Sequence, residues 1–387
     1  MDYATAARPK KQGLAMAGAF TFGIEEEYFL VEAETKLVPA DVPAAFFEAA
    51  KAATDGRAST EFLQPQIEVI SSPHVSAADA RAELRELRRT VAAVAAEHGL
   101  AILAAGTHPT AFWRDAQQTA KQRYDTVMHD LQMIGQRDLL CGLHVHVELP
   151  DPDARVDVMY RILPYLPLLL ALSTSSPFWQ ARRTGLMGYR LAAYDELPRT
   201  GVPELFRTQA EFDAYVAALT RAGVIKDSSY IWWAMRPSLA NPTLELRAPD
   251  SCTLVDDTIA IAALYRTLAR HLYLNRERNC DLDAVARAIV IENKWRAQRY
   301  GIHGTLVDER SGCAQRVPDV LDELLDDVLA DAEALGCTAE INRCRAIVGA
   351  GTSADAQLAV FEAHRAGGSH ESALRAVAEW IAAATLQ

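Results

Sequence analysis

Alternating apolar and polar residues mark the segment that begins at Phe22 as a β-strand. It reads FGIEEEYFLVE, and successive side chains of a strand point to opposite faces of the sheet. The aromatic and aliphatic residues then share one face, while Glu25 and Glu27 share the other. Glu26 is the exception: its carboxylate either points with the apolar set or lies beside an irregularity in the strand.

Three further segments show the same alternation and are also predicted to be strands: QPQIEVI, CGLHVHVEL and TLELRAPD. Each places aliphatic residues on one face and two polar residues, at positions i and i+2, on the other. If the four strands share a sheet, one face packs on helices and the other is a polar face. The polar pairs of these three strands are Gln66 and Glu68, His144 and His146, and Glu245 and Arg247.

Longer segments rich in Ala, Leu and charged residues are predicted to be helices. The clearest covers 77–99 and ends at a glycine, after which a strand is expected. A stretch rich in Gly and Pro, 188–206, is predicted to be a long loop, and we interpret it as a lid. The other predicted helices cover 117–137, 155–174, 211–221, 256–274, 281–299, 317–335, 338–348 and 354–384.

The overall composition is that of a large folded domain with an acidic surface. The 387 residues are 50% hydrophobic and carry a formal net charge of −12, which argues against a surface that binds nucleic acid regardless of sequence. We expect a single domain over residues 20–387 with a helical C-terminal part, and a flexible leader at 1–19 rather than a signal peptide.

The expected compartment is the cytoplasm. The chain has 6 cysteines and no CxxC pair, which is typical of reduced thiols rather than of a disulfide scaffold. The most apolar stretch, 162–179, contains three prolines and is predicted to be a buried core helix, so no membrane partner is expected.

The chemistry of the polar face predicts a metal site. A surface with this concentration of glutamate and histidine repels itself unless cations bind it, and carboxylates with one or two imidazoles suit Mg²⁺ or Mn²⁺. Each pair alone has an ordinary explanation: a solvated strand face, structural histidines or a cross-strand ion pair. The four pairs together favour a site, because one explanation covers all of them.

The quoted motifs, in this order, resemble the glutamate–cysteine ligase type 2 family, the YbdK-like carboxylate–amine ligases of the glutamine synthetase-like superfamily. The segment ENKWRAQRYGIHG, which begins at Glu292, is similar to a further block of that family, and the resemblance spans about residues 20–381. It implies an α+β fold in which helices pack on one face of a curved antiparallel sheet and the other face is catalytic.

The resemblance also implies roles for individual residues. Arg247 is expected to meet the transferred phosphate and to be catalytic together with Glu27. Nucleotide or substrate binding is expected of His146 and Gln66. Independently of the resemblance, the basic residues Arg190, Lys294 and Arg299 are candidates for the same role, and a solvated helix face is the alternative for Lys294 and Arg299. The implied metal ligands are Glu25, Glu27, Glu61, Glu68, His144 and Glu245.

The implied reaction joins a carboxylate to an amine at the expense of ATP, with Mg²⁺ or Mn²⁺ as cofactor. Both partners are small molecules, glutamate being the expected carboxylate and cysteine or another amino compound the amine. The residue that deprotonates the amine is not identified; Glu148 is either that residue or a solvated strand end. A homo-oligomer is an open alternative, since the alanine-rich helices suit an interface as well as a core.

Two other functions compete with this one. The first is a metal-dependent hydrolase, because a His-x-His strand with carboxylates also suits zinc, although the ligand set is rich in oxygen and HExxH is absent from the sequence. The second is a nucleotide- or amino-acid-binding protein of the same fold that has lost turnover.

Overall fold

The structure is a computed structural model, and it describes residues 20–120, 122–309 and 311–387. The predicted leader, 1–19, lies outside the described residues. Strands make up a central sheet and two small hairpins. The strands are β1 (Phe22–Glu32), β2 (Ala58–Thr60), β3 (Gln66–Ile70), β4 (Leu100–Leu103), β5 (Leu143–Glu148), β6 (Phe178–Trp179), β7 (Arg182–Arg183), β8 (Met235–Pro237), β9 (Thr243–Leu246), β10 (Thr305–Asp308) and β11 (Cys313–Arg316).

The central sheet has seven strands, and every pairing in it is antiparallel. Its order is β2-β3-β1-β5-β9-β8, and β4 pairs with the second half of β1. The hairpins are β6–β7 and β10–β11. All four strands predicted from alternation, namely β1, β3, β5 and β9, therefore belong to one antiparallel sheet, as the sequence predicted.

Helices surround the sheet and make up most of the C-terminal third. They are α1 (Ala44–Ala53), α2 (Ala77–Glu97), α3 (Gln122–Leu131), α4 (Met133–Gln136), α5 (Arg155–Ile162), α6 (Leu166–Ser173), α7 (Tyr189–Tyr194), α8 (Gln209–Arg221), α9 (Val255–Leu274), α10 (Ala284–Tyr300), α11 (Val317–Asp327), α12 (Leu329–Leu335), α13 (Thr338–Ala350), α14 (Ser353–Arg365) and α15 (His370–Thr385).

Local chemistry sets the ends of the clearest predicted helix. The Ser76 hydroxyl accepts a hydrogen bond from the backbone N–H of Asp79 at 3.2 Å, which caps the start of α2. Gly99, at φ +70°, allows the chain to turn immediately after it. Helices α8, α9, α10 and α13 also match their predicted positions within a few residues.

Several predicted helices are shorter or divided. The run 155–174 consists of α5, a 3₁₀ turn at Leu163–Tyr165 and α6, with a proline at the start of each of the last two. The run 354–384 is divided between α14 and α15, and 317–335 between α11 and α12. Helix α1 was not predicted. The prediction of a loop over 188–206 is wrong for the first residues of that range, because Tyr189–Tyr194 form the short helix α7, most of which is buried.

The core lies between the apolar face of the sheet and helix α9. Ile24 of β1 and Val145 of β5 are buried there, and α9 is buried along nearly its whole length. One described run, Pro152–Ser173, has the length and hydropathy to cross a membrane, but 83% of its most apolar window is buried inside the protein. That burial agrees with the predicted core helix.

Glu26 lies on the apolar face of β1 and is fully buried. Its carboxylate accepts hydrogen bonds from Arg88 Nε and Nη2 of α2, at 2.9 and 2.6 Å, and from the hydroxyls of Tyr28 and Thr258. Arg88 also donates to the carbonyl oxygens of Cys252, Thr253 and Thr385. The pair therefore satisfies the buried charge and ties β1 to helices α2, α9 and α15.

Candidate active site

The register of the sheet brings the predicted polar pairs side by side. Glu25 of β1 pairs with His144 of β5, and Glu27 pairs with Glu68 of β3. His146 of β5 pairs in turn with Glu245 of β9. Because directly paired residues project to the same face, the four strands present one continuous polar face opposite the core.

A cavity of about 370 Å³ opens over this face, and we call it the polar cavity. Apolar side chains, among them Phe62, Leu131 and Trp232, form part of its wall. The rest are the polar residues Gln66, Tyr194 and Ser229 and a larger set of charged side chains. The charged side chains are Glu25, Glu27, Glu61, Glu68, Asp138, His144, Arg190, Arg236 and Arg247.

Three groups of side chains in the described residues place potential metal-ligating atoms within 4.8 Å of one another. Each group has a carboxylate majority, which is the donor chemistry that Mg²⁺ and Mn²⁺ favour. Five of the six predicted ligands lie on strands joined by three pairings, β1–β3, β1–β5 and β5–β9, and Glu61 joins them from the segment before β3. The groups are Glu25, Glu68 and His144; Glu27, Glu61 and Glu68; and Glu25, His146 and Glu245.

The protonation of the cluster indicates an excess of negative charge. Burial, with the charges of neighbouring glutamates, raises the pKa of Glu68 well above its usual range. Although burial opposes it, hydrogen bonds with His144 and His146 hold the pKa of Glu25 well below that range. His144 Nε2 is buried without a hydrogen-bond partner among the described residues and lies 3.8 Å from Glu27 Oε1. These residues fit a divalent cation, which would offset the repulsion and give that nitrogen a partner.

We expect the affinity for Mg²⁺ to depend on pH through Glu61. Burial and the charge of Glu27 raise the pKa of Glu61 to about 8, so a bound cation must displace a proton below that pH. Apparent affinity measured by titration calorimetry should rise up to about tenfold per pH unit towards pH 8 and then level off. A Glu61→Gln variant should show a weaker dependence, of which the part that remains comes from Glu68, whose pKa is also raised. Equal affinity at pH 6.5 and pH 8 would contradict the assignment.

The same shift has the opposite effect on stability without a cation. Between 4.5, the usual pKa of the group, and about 8, the folded protein keeps a proton that the unfolded chain has released. The free energy of unfolding should therefore fall as pH rises through this window, and added Mg²⁺ should restore it.

Two guanidinium groups share one carboxylate at the β8–β9 end of the polar cavity. Arg236 Nε donates to Glu245 at 2.8 Å, and Arg247 forms an ion pair with the same carboxylate. Although burial opposes it, the charges of Arg247 and Arg236 lower the pKa of Glu245. Arg247 Nη2 also donates to the Tyr194 hydroxyl at 3.3 Å. One positive charge remains uncompensated by Glu245, which makes this end suited to an anionic group.

Comparison with known proteins decides the family. The model of the family described as "Glutamate-cysteine ligase family 2" matches residues 21–378 of this chain. The chain belongs to this family. A relative from Bradyrhizobium sp. (strain ORS 278), provisionally named glutamate–cysteine ligase 2, is 57% identical over 95% of this chain and 88% of its own. Another relative with that provisional name, from Rhodospirillum rubrum, is 46% identical over 95% of this chain and 96% of its own.

Solved structures share the fold of the family member described here. The glutamate–cysteine ligase of Francisella tularensis, in complex with AMP, superposes with a TM-score of 0.68 and 14% identity over 95% of this chain and 89% of its own. A bifunctional glutathione synthetase from Pasteurella multocida superposes with a TM-score of 0.70 and 14% identity. The match covers 94% of this chain and 52% of the synthetase chain. The family and fold predicted from the motifs are thus confirmed, and membership makes this protein an enzyme of the ligase class.

The structure places most, but not all, of the predicted site residues of this family member at the polar cavity. Gln66 lines it, but its amide is held by the Leu140 carbonyl at 2.6 Å. His146 and Glu245 are not in the cavity wall. The His146 ring bonds the Thr243 hydroxyl at 2.8 Å, and its Nε2 lies 3.2 Å from Glu25 Oε1. Glu148 also lies outside the wall and accepts from the Thr21 hydroxyl.

The three predicted cationic binding residues differ in position. Arg190 of α7 lines the polar cavity, yet it is buried and donates to the carbonyl oxygens of Arg247 and Pro249 at 3.1 Å. Lys294 of α10 forms an ion pair with Asp195, and Arg299 lies over the Tyr300 ring. Neither Lys294 nor Arg299 is in the wall of the polar cavity, so the structure offers no contact there for their predicted nucleotide or substrate role.

Sequence reasoning missed several residues of the wall, and those able to bind or to transfer a proton include Asp138, Tyr194, Arg236 and Trp232. Tyr194 lay in the predicted loop 188–206. Arg236 offers one signal in retrospect, since MRP stands in a short extended stretch just before the β9 motif. Lys294 contributes indirectly, because its partner Asp195 directly follows α7, the helix that carries Arg190 and Tyr194.

Proposed function

We propose that this protein is an ATP-dependent carboxylate–amine ligase that activates glutamate as an acyl phosphate and transfers it to an amine. The observation that carries the proposal is the juxtaposition of two features in one cavity: two oxygen-rich ligand groups, made by Glu25, Glu27, Glu61, Glu68 and His144, and, beside them, the arginines Arg236 and Arg247. This arrangement suits phosphoryl transfer, in which positioning and charge neutralisation provide most of the catalysis.

ATP, the substrate carboxylate and the transferred phosphoryl group bring several negative charges together. Mg²⁺ held by Glu25, Glu27, Glu61, Glu68, His144 and Glu245 would neutralise and orient phosphate oxygens. The excess negative charge of the protein's own carboxylates supports this assignment, because without cations these glutamates would repel the nucleotide. Mn²⁺ fits the same donors.

Arg247 supplies the planar donor fork that the transferred phosphoryl group needs. In the first step a carboxylate oxygen of glutamate attacks the γ-phosphorus, and the bond to the ADP oxygen breaks. In the second step the amine nitrogen attacks the acyl carbonyl, and inorganic phosphate leaves. The Tyr194 hydroxyl and Glu245 hold the Arg247 fork in place through both steps.

The comparisons support the choice of substrates. The solved glutamate–cysteine ligase of this fold is a complex with AMP, which favours an adenine nucleotide for the chain described here. The relatives carry the provisional name glutamate–cysteine ligase 2, which makes glutamate the first carboxylate and cysteine the first amine to test.

The test is ADP release from ATP, Mg²⁺ and glutamate, with and without each of the twenty amino acids and several polyamines. We expect ADP formation that requires one amine and that is lost in Glu27→Gln. Glu148→Gln is the matched control, because this glutamate lies on the same sheet but outside the polar cavity; it should keep full activity.

Other outcomes would contradict the proposal in distinct ways. Hydrolysis that depends on zinc and needs no ATP would favour the hydrolase. Tight ATP binding without an amine-dependent product, across the whole panel, would favour a binding protein that does not turn over.

A further inference from the structure

Asp138 is a carboxylate of the polar cavity that the reaction described above does not use. It lies between α4 and β5, and its backbone N–H donates to the Gly135 carbonyl at 3.2 Å. Its side chain lines the cavity. Within the described ranges, no hydrogen-bond donor or ion-pair partner reaches this carboxylate. Asp138 is therefore fixed through its backbone while its carboxylate is available to a ligand.

The other four carboxylates on the same wall are already engaged. Glu25 bonds His144 and His146, and Glu27 accepts from the Gly142 N–H at 2.5 Å. The remaining two are likewise held: Glu61 accepts from the Phe62 N–H, and Glu68 from the Ser59 hydroxyl. All four belong to the candidate metal groups, whereas Asp138 belongs to none of them.

An amine acceptor imposes a requirement that a free carboxylate meets. Amino groups with a pKa near or above 8 are largely protonated at neutral pH, and an ammonium nitrogen has no lone pair with which to attack a carbonyl. The site must therefore attract a cation and then remove its proton. Efficient bases have a pKa near the working pH.

We propose that Asp138 is the catalytic residue that binds the ammonium group of the acceptor and takes its proton. This inference rests on the proposed ligase function. The ammonium N–H bond breaks and its proton moves to an Asp138 carboxylate oxygen. The freed nitrogen lone pair forms the C–N bond to the acyl phosphate, and the C–O bond to phosphate breaks with its electron pair on the leaving phosphate. The second proton of the attacking nitrogen passes to that phosphate, which leaves a neutral amide.

The charged surroundings of Asp138 agree with this role. Burial and the charge of Glu27 raise the pKa of Asp138 to about 7, and the guanidinium groups of Arg190 and Arg247 oppose the rise. Glu61 and Tyr194 are the other titratable groups that interact with it. Burial also raises the pKa of Tyr194, whose hydroxyl is engaged by Arg247, so this phenol is a poorer base.

The experiment compares two nucleophiles with wild type and Asp138→Asn. The first is the panel amine that gives the fastest ADP formation, with cysteine tried first. The second is hydroxylamine, which is neutral at pH 7 and needs to lose no proton before it attacks. Hydroxamate formation from glutamate and ATP then reports acyl-phosphate formation alone. Glu27→Gln is the control that should lower both reactions together.

We expect Asp138→Asn to lower amine ligation at pH 7 by about 10²- to 10⁴-fold while hydroxamate formation stays close to the wild-type rate. The ligation rate of the variant should also climb about tenfold per pH unit up to the pKa of the amine. An equal loss of both reactions, or unchanged ligation, would overturn the role of Asp138. If wild type forms neither product, the ligase function itself fails and the inference falls with it.

Discussion

Replacing Arg247 by alanine should lower kcat for amine-dependent ADP formation by about 10³-fold, the lower end of what a transition-state arginine contributes to phosphoryl transfer. The guanidinium stands at the wall of the polar cavity, oriented by Tyr194 and Glu245. An interaction that strengthens as charge develops on the phosphoryl oxygens affects kcat more than KM.

The structure also indicates that this variant will fold. Arg236 remains bonded to Glu245 at 2.8 Å, so the buried carboxylate keeps a positively charged partner. Arg247→Lys should recover only a small part of the activity, because lysine restores the charge without the planar fork.

Steady-state kinetics with glutamate and the selected amine provide the measurement, and circular dichroism checks the fold. Arg287→Ala is the matched control, since Arg287 donates to the carbonyl oxygens of Val202 and Pro203 away from the polar cavity. A kcat of Arg247→Ala within a few-fold of wild type would refute the role given to this residue.

The largest effect on stability is expected behind the sheet, at the buried pair of Glu26 and Arg88. Arg88→Met should lower the free energy of unfolding by about 3–5 kcal/mol, because it leaves the Glu26 carboxylate buried without a counter-charge. The carbonyl oxygens of Cys252, Thr253 and Thr385 lose a donor in the same change.

The double variant Glu26→Leu/Arg88→Met separates charge from packing. It removes the stranded carboxylate, so it should be more stable than Arg88→Met alone, although the three carbonyl groups still lack their donor. Urea denaturation followed by circular dichroism compares the three proteins, with Arg375→Met at an exposed site as control. A double variant that is less stable than Arg88→Met would contradict this account.

Strand alternation was enough to predict the polar face, since a period of two assigns each residue of a strand to one of only two faces. The pairing of Glu25 with His144 and of His146 with Glu245 then follows once the strands are antiparallel neighbours. Alternation of apolar and polar residues is a local property of the sequence. These residues could therefore be found without knowledge of the tertiary structure.

Residues that reach the polar cavity from loops and short helices carry no such pattern. Asp138 stands in an irregular segment before β5, and α7 is only 6 residues long between a glycine and a turn. Its Arg, Leu and Ala residues favour a helix, but so short a run shows no periodic pattern from which a helix can be predicted. Helix α10 illustrates the converse: its pattern predicted a helix correctly but not which side faces the site, and Lys294 pairs with Asp195 instead of lining the cavity.

The three consecutive glutamates of β1 also have a consequence for folding fidelity. If β1 slipped by one residue against its neighbours, Glu25 and Glu27 would both enter the core, where Arg88 can compensate one carboxylate, and Ile24 would be turned towards water. A sheet in this shifted register would lose the native ion pair between Glu26 and Arg88, and the polar cavity would lose the ligands Glu25 and Glu27. The three glutamates therefore favour the native register of β1 over registers shifted by one residue.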